Sequence, residues 1–122
     1  MKSILTNTRK PDIVFHASGR IDITSSISSH LRLSVGDVID ILTDGEEFYL
    51  YVKHRAPIAG RHEGKIRFTN NRGRHCRTAS IRLCKAILKE CNSDKIARLS
   101  VGKMITDSQY GDMLPIITKH LL

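Results

Sequence analysis

The sequence contains no tryptophan and only three Tyr and three Phe, an aromatic share of 5%. Proteins that hold single-stranded nucleic acid stack its bases on aromatic rings, and this chain has few rings to offer. It has three cysteines, Cys76, Cys84 and Cys91. An odd, clustered set of this kind is not a disulfide framework, and it fits a reducing, cytoplasmic setting. No Cys-x2-Cys pair is present, so the short spacings that zinc favours are missing. Cys84 and Cys91, seven apart on an expected helix, suit core positions. No apolar run approaches 18 residues, which excludes a transmembrane helix and makes a membrane partner unexpected. Residues 1–5 hold no long apolar stretch, so no secretory leader is expected.

Catalytic patterns are also lacking. There is no Gly-x-Ser-x-Gly elbow, and Arg72-Gly73-Arg74 is too short for a phosphate loop and lacks its Lys-Ser/Thr ending. His75 and Cys76 are adjacent, so on a strand their side chains point to opposite faces. Glu46, Glu47, Asp37 and Asp40 lie on or beside an expected hairpin, where carboxylates are solvated. No catalytic residue, metal or cofactor is assigned, and an enzyme is not expected.

What the chain does have is positive charge in one place. Lys and Arg number 20 and Asp and Glu 12, for a net +8. Residues 54–90 hold ten of the bases, seven of them Arg, and only two acids, Glu63 and Glu90. The rest of the chain carries ten bases and ten acids, so the whole excess sits in one block. That is the electrostatic footprint of a face that binds a polyanion. Arg prevails, and its planar fork suits phosphates and guanine edges better than the Lys ammonium does.

At 122 residues, with 40% hydrophobic and 26% charged residues, the chain is expected to fold around one core. Residues 1–11 read as an N-terminal arm. Strands are expected at residues 12–16, 20–23, 38–42 and 48–53, the last two joined by a tight turn at Asp44-Gly45. Thr24 is placed to cap a short helix bearing Ile27 and Leu31. Residues 55–64, with Pro57, Gly60 and Gly64, read as a connector. Residues 65–68 follow as a strand with Lys65 and Arg67 on one face, and Arg72 and Arg74 crown the next turn. The longest helix is expected over residues 80–91, with Ile81, Cys84, Leu88 and Cys91 along an apolar stripe and Arg82, Lys85 and Lys89 on another face. Further strands are expected around residues 103–106 and 113–119.

The pentapeptide Arg32-Leu33-Ser34-Val35-Gly36 recurs 66 positions later as Arg98-Leu99-Ser100-Val101-Gly102. A short strand, a hydroxyl cap (Thr24 or Ser80) and an apolar helix face precede each copy. This predicts a single domain over residues 12–122 made of two half-repeats, 12–54 and 65–120, packed about a pseudo-two-fold axis with the two pentapeptide turns superposing.

Residues 19–41, Gly-Arg-Ile-Asp-Ile-Thr-Ser-Ser-Ile-Ser-Ser-His-Leu-Arg-Leu-Ser-Val-Gly-Asp-Val-Ile-Asp-Ile, resemble the AbrB/SpoVT family of swapped-hairpin DNA-binding domains. The shared pattern is Gly-Arg, an alternating strand, a short helix with apolar residues four apart, Gly-Asp and a second alternating strand. The resemblance implies a mainly β, α+β fold in which a strand-helix-hairpin unit completes a barrel only with a second copy. Here residues 65–120 would supply that copy, giving an intrachain pseudo-dimer. Two positions depart from the family. Thr24 stands where Pro is common, and Ser28 where a basic residue is common. The DNA face is therefore expected to lie mostly on the second half, with Arg20 retained at the Gly-Arg position.

The expected function is that of a DNA-binding protein, a transcriptional regulator or an accessory double-stranded DNA-binding module. The expected interface is Arg20, Lys65, Arg67, Arg72, Arg74, Arg77, Arg82 and Lys85. RNA remains open as a partner, as does a homo-oligomer. The other reading is a protein-interaction module, antitoxin-like or structural.

Overall fold

Alternation of apolar and polar residues decides the strands. In residues 13–16 Ile13 and Phe15 are fully buried while Val14 and His16 face outward, and in residues 20–23 Ile21 and Ile23 are buried while Arg20 and Asp22 are not. The computed structural model describes residues 10–53, 63–69 and 75–119. Within them the order is β1 (Ile13–His16), β2 (Arg20–Ile23), α1 (Ser25–His30), β3 (Val38–Thr43), β4 (Phe48–Lys53), β5 (Arg67–Phe68), β6 (Cys76–Ala79), α2 (Ile81–Glu90), β7 (Ile96–Val101), β8 (Ile105–Asp107) and β9 (Gly111–Ile117). Among the described residues the fold is mainly antiparallel β with two short helices.

The sheet runs β3-β4-β9-β7-β1-β2-β6-β5, with β8 also paired to β9. It curls until its ends approach, where Lys65, just before β5, bridges Val38 at the start of β3. The Ile39 amide donates to the Gly64 carbonyl at 2.9 Å, and the Ile66 amide donates to Asp37 at 2.8 Å. Gly64 has φ +73°, and a Cβ there would stand 2.6 Å from the Ile39 carbonyl oxygen, so only glycine fits this seam.

α2 fills the concave side of the curl. Its Cys84, Ile87 and Leu88 join Phe15, Ile21 and Leu99 in the one core cluster. Ser80 caps it by accepting from the Leu83 amide at 3.1 Å, as a hydroxyl N-cap should. Thr24 occupies the same place before α1, but its side chain makes no capping bond. The Asp44-Gly45 turn forms as expected: Gly45 has φ +97°, and Asp44 Oδ1 accepts from the amides of Glu46 and Glu47 at 2.9 and 2.8 Å.

Three expectations need correction. The pentapeptide copies do not correspond. Residues 32–36 form the loop that leaves α1, with Arg32 at φ +53°, whereas residues 98–101 lie inside β7. Their burial explains the difference: Ala97 and Leu99 alternate with Arg98 over the core, which makes a strand of the second copy. The backbone equivalent of Arg32 is Asn92, at φ +52°. Leu31, Arg32 and Leu33 donate to Ile27, Ser29 and Ser28 at 3.0, 3.2 and 2.9 Å, and Cys91, Asn92 and Ser93 donate to Ile87, Lys89 and Leu88 at the same three distances. Both helices thus end in the same Schellman geometry. Second, Ile81 is 56% exposed and does not join the stripe; it sits at the sheet rim against Gly19, whose Cβ would meet Ile81 Cγ1 at 2.8 Å. Third, Cys91 is half-buried at the end of α2, with its Sγ 3.5 Å from the Thr118 carbonyl oxygen.

Candidate nucleic-acid interface

The outward face of β5, β6, β2, β1 and β7 is built by the same alternation that fills the core. Directly paired residues run across five strands: Arg67 faces Arg77, Arg77 faces Asp22, Asp22 faces Val14 and Val14 faces Arg98. Arg20 lies two residues along β2 from Asp22, on the same side, and Lys65 lies two residues before Arg67. All of these bases except the half-buried Arg77 are exposed. Five bases therefore share one convex face with one carboxylate.

That carboxylate organises its neighbours. Asp22 Oδ1 accepts from Arg77 Nε at 2.7 Å, and Asp22 Oδ2 lies 2.9 Å from His16 Nε2 and 3.2 Å from Arg20 Nε. His16 Nε2 also stands 3.2 Å from an Arg20 terminal nitrogen. Partial burial pushes the Asp22 carboxyl up. The hydrogen bonds from Arg77 and His16 and the charges of Arg20 and Arg77 outweigh it, and hold the group below its ordinary 3.8. Asp22 is thus an anion at neutral pH, holding two guanidinium groups in place.

The structure brings together Arg20, Lys65, Arg67 and Arg77 of the expected residues. It sets Arg82 and Lys85 apart, on the outward side of α2, whose other side covers the concave face of the sheet. Arg82 is paired with Glu63, which also accepts from Ser80 Oγ at 2.9 Å. Arg72 and Arg74 lie outside the described residues.

Three residues escaped the sequence reading. Arg98 lies in the second pentapeptide, which the repeat predicts to be a turn, although Ile96-Ala97-Arg98-Leu99 alternates as a strand does. His16 and Lys10 lie outside the basic block, and only β1 pairing with β2 and the approach to the sheet edge bring them here.

Lys10, Pro11, Val14, Asp22, Thr69, His75 and Arg77 are among the residues that line an open groove of about 370 Å³. Among the described residues no group of three His, Cys, Asp or Glu side chains could hold a metal ion. No described helix is long and apolar enough to cross a membrane. No protein-family model, curated protein or solved structure matches this chain.

Proposed function

We propose that the protein binds double-stranded DNA through the convex face of β5, β6, β2, β1 and β7, as a transcriptional regulator or accessory DNA-binding module. The observation that carries this reading is the row Arg67, Arg77, Asp22, Val14, Arg98, with Arg20 and Lys65 beside it. A face with five bases and one acid attracts phosphates, and a twisted sheet without exposed rings suits duplex more than single strands. Arg82 and Lys85, on the outward side of α2, lie away from this face and are not part of the proposed contact.

The AbrB/SpoVT resemblance supports the same reading. Counting β1 with β5, β2 with β6, β3 with β7 and β4 with β9, the strand order, closed into a ring by the Lys65–Val38 bridge, keeps its neighbours when the two sets are exchanged. β2 pairs with β6 and β4 with β9, while β1 reaches across to β7 and the start of β5 reaches back to β3. This is the exchange expected of two swapped-hairpin half-repeats fused in one chain, related through the helix ends at Arg32 and Asn92 and not through the repeated pentapeptide.

The test is a titration of the protein with duplex DNA, single-stranded DNA and RNA of one sequence at two salt concentrations. Tightest binding to the duplex, weakening as salt rises, is the expected result. Absence of duplex binding at low salt would leave the protein-interaction module as the better reading.

A further inference from the structure

The convex face carries a feature that phosphate steering does not need, the groove lined by Lys10, Pro11, Thr69, His75 and Arg77 among others. Its 370 Å³ lies within the range of small-molecule sites, about 300–1,000 Å³. Most of the surface it exposes is apolar, with Pro11 and Val14 contributing, and the charged groups Lys10, Asp22 and Arg77 line it beside them, a mixture found in ligand sites.

Arg77 is the group that gives the groove a chemistry. Its Nε is fixed by Asp22 Oδ1 at 2.7 Å. Among the described residues its two terminal nitrogens make no hydrogen bond, so the guanidinium is oriented through one edge and open on the other. That is a preorganised fork for a tetrahedral or planar anion. Exposed Lys10 also lines the groove, as a second cation. Among the described residues, the one carboxylate lining the groove, Asp22, is already engaged by Arg77, His16 and Arg20.

We propose that this groove is a binding site for a small phosphate monoester carrying a flat apolar body, of about the size of a mononucleotide, with the phosphate on Arg77 and Lys10 and the body against Pro11 and Val14. The phosphate follows from the Arg fork and the second cation, which together match a dianion. The flat body follows from the open shape and mainly apolar exposed surface of the groove, to which Pro11 and Val14 contribute. The site stands whether or not the face binds duplex DNA. If it does, ligand and DNA would compete for Arg77, which makes the groove an effector site.

The experiment is an amide ¹H–¹⁵N NMR titration of the full chain, without nucleic acid, using AMP, adenosine and inorganic phosphate as separate probes. AMP should give saturable shifts confined to the groove, around Val14, Thr69, His75 and Arg77. Adenosine and inorganic phosphate should each bind at least about tenfold more weakly, since each supplies half of the ligand. Arg77→Gln should weaken AMP by about tenfold or more, and Val14→Trp, which fills the groove with no change of charge, should do the same. Lys89→Gln, on α2, should leave it unchanged. Shifts that never saturate, that spread over all basic residues, or that survive both Arg77→Gln and Val14→Trp in folded protein would overturn the proposal. Equal affinity for AMP and inorganic phosphate would overturn it too. No duplex enters the measurement, so its failure is distinct from failure of the DNA-binding reading.

Discussion

Arg77 and Asp22 face each other across the β6–β2 ladder, and the guanidinium Nε meets the carboxylate at 2.7 Å. The two residues are 55 positions apart in sequence, so the pair ties β6 to β2 across a long separation. Neither side chain is fully exposed, which spares the pair part of the screening that makes surface ion pairs weak. Asp22→Asn should therefore lower stability by about 1 kcal/mol at neutral pH. The pH dependence has a definite sign. The native carboxyl is held below its unfolded value of 3.8. Its contribution is present above pH 3.8 and is lost as pH falls through the lowered native value. Melting temperatures of the native protein and of Asp22→Asn should differ at pH 6 and converge in strong acid. A constant difference at every pH would show that the carboxylate charge is not what stabilises the pair.

The same substitution should act oppositely on binding. Asp22 partly neutralises Arg20 and Arg77, and Asn at this position keeps the shape while removing the negative charge. With five bases against one carboxylate, about four phosphates are neutralised, which gives a slope of log affinity against log salt of about −3.6. Asp22→Asn should steepen that slope by about one unit and tighten duplex binding at low salt. Weaker binding in a folded Asp22→Asn protein would mean that the carboxylate orients the arginines more than it restrains them.

The seam where β5 meets β3 depends on Gly64. Its positive φ and the 2.6 Å approach of a Cβ to the Ile39 carbonyl oxygen combine strain with a backbone clash that cannot relax by rotating a side chain. Gly64→Ala should cost about 2 kcal/mol or more, measured by urea unfolding. Gly36→Ala is the comparison. It shares the positive φ at +90° but would meet nothing within 4 Å, so it should cost less.

Burial pushes the Cys84 thiol up, and burial followed by the Glu90 charge does the same for Cys91. Thiolate is the reactive form, so both should label slowly with a thiol reagent at neutral pH. Cys84 is 1% exposed and Cys91 is only half-buried. Cys91 should therefore react first and Cys84 only at the rate of opening, with all three thiols reacting at once in denaturant. Immediate reaction of Cys84 in native protein would contradict its place in the core.

Local pattern made much of the fold legible. β1 to β4 and α2 lie within a residue or so of where alternation, the Ser80 cap and the Asp44-Gly45 turn put them, because each depends on neighbours in sequence. β7 was not legible through the pentapeptide, since five shared residues take their conformation from what lies beneath them: loop after α1, core-facing strand beside β1. The convex face was half legible. The charge block points to Arg67 and Arg77, but Arg98 and His16 join them only through strand pairing over long separations. The partnership of Asp22 with Arg77 depends on the β2–β6 register, which no single-strand pattern specifies.

The division of the basic block between two surfaces yields the sharpest prediction. Arg67 and Arg98 lie at opposite ends of the paired row on the sheet, both exposed and without a described ion pair, while Lys85 and Lys89 lie on the outward side of α2. Each pair removes two positive charges, so a contact that depends on net charge alone would respond equally to both. A contact made by the convex face would not. Arg67→Gln with Arg98→Gln should flatten the salt slope by about two units and weaken duplex binding by an order of magnitude or more at low salt. Lys85→Gln with Lys89→Gln should change the slope by well under one unit. Neither double variant should shift the melting temperature much, because exposed bases away from caps and cores contribute little to stability. Equal losses from the two would show that diffuse charge governs binding, and a larger loss from the helix pair would move the interface from the sheet to α2.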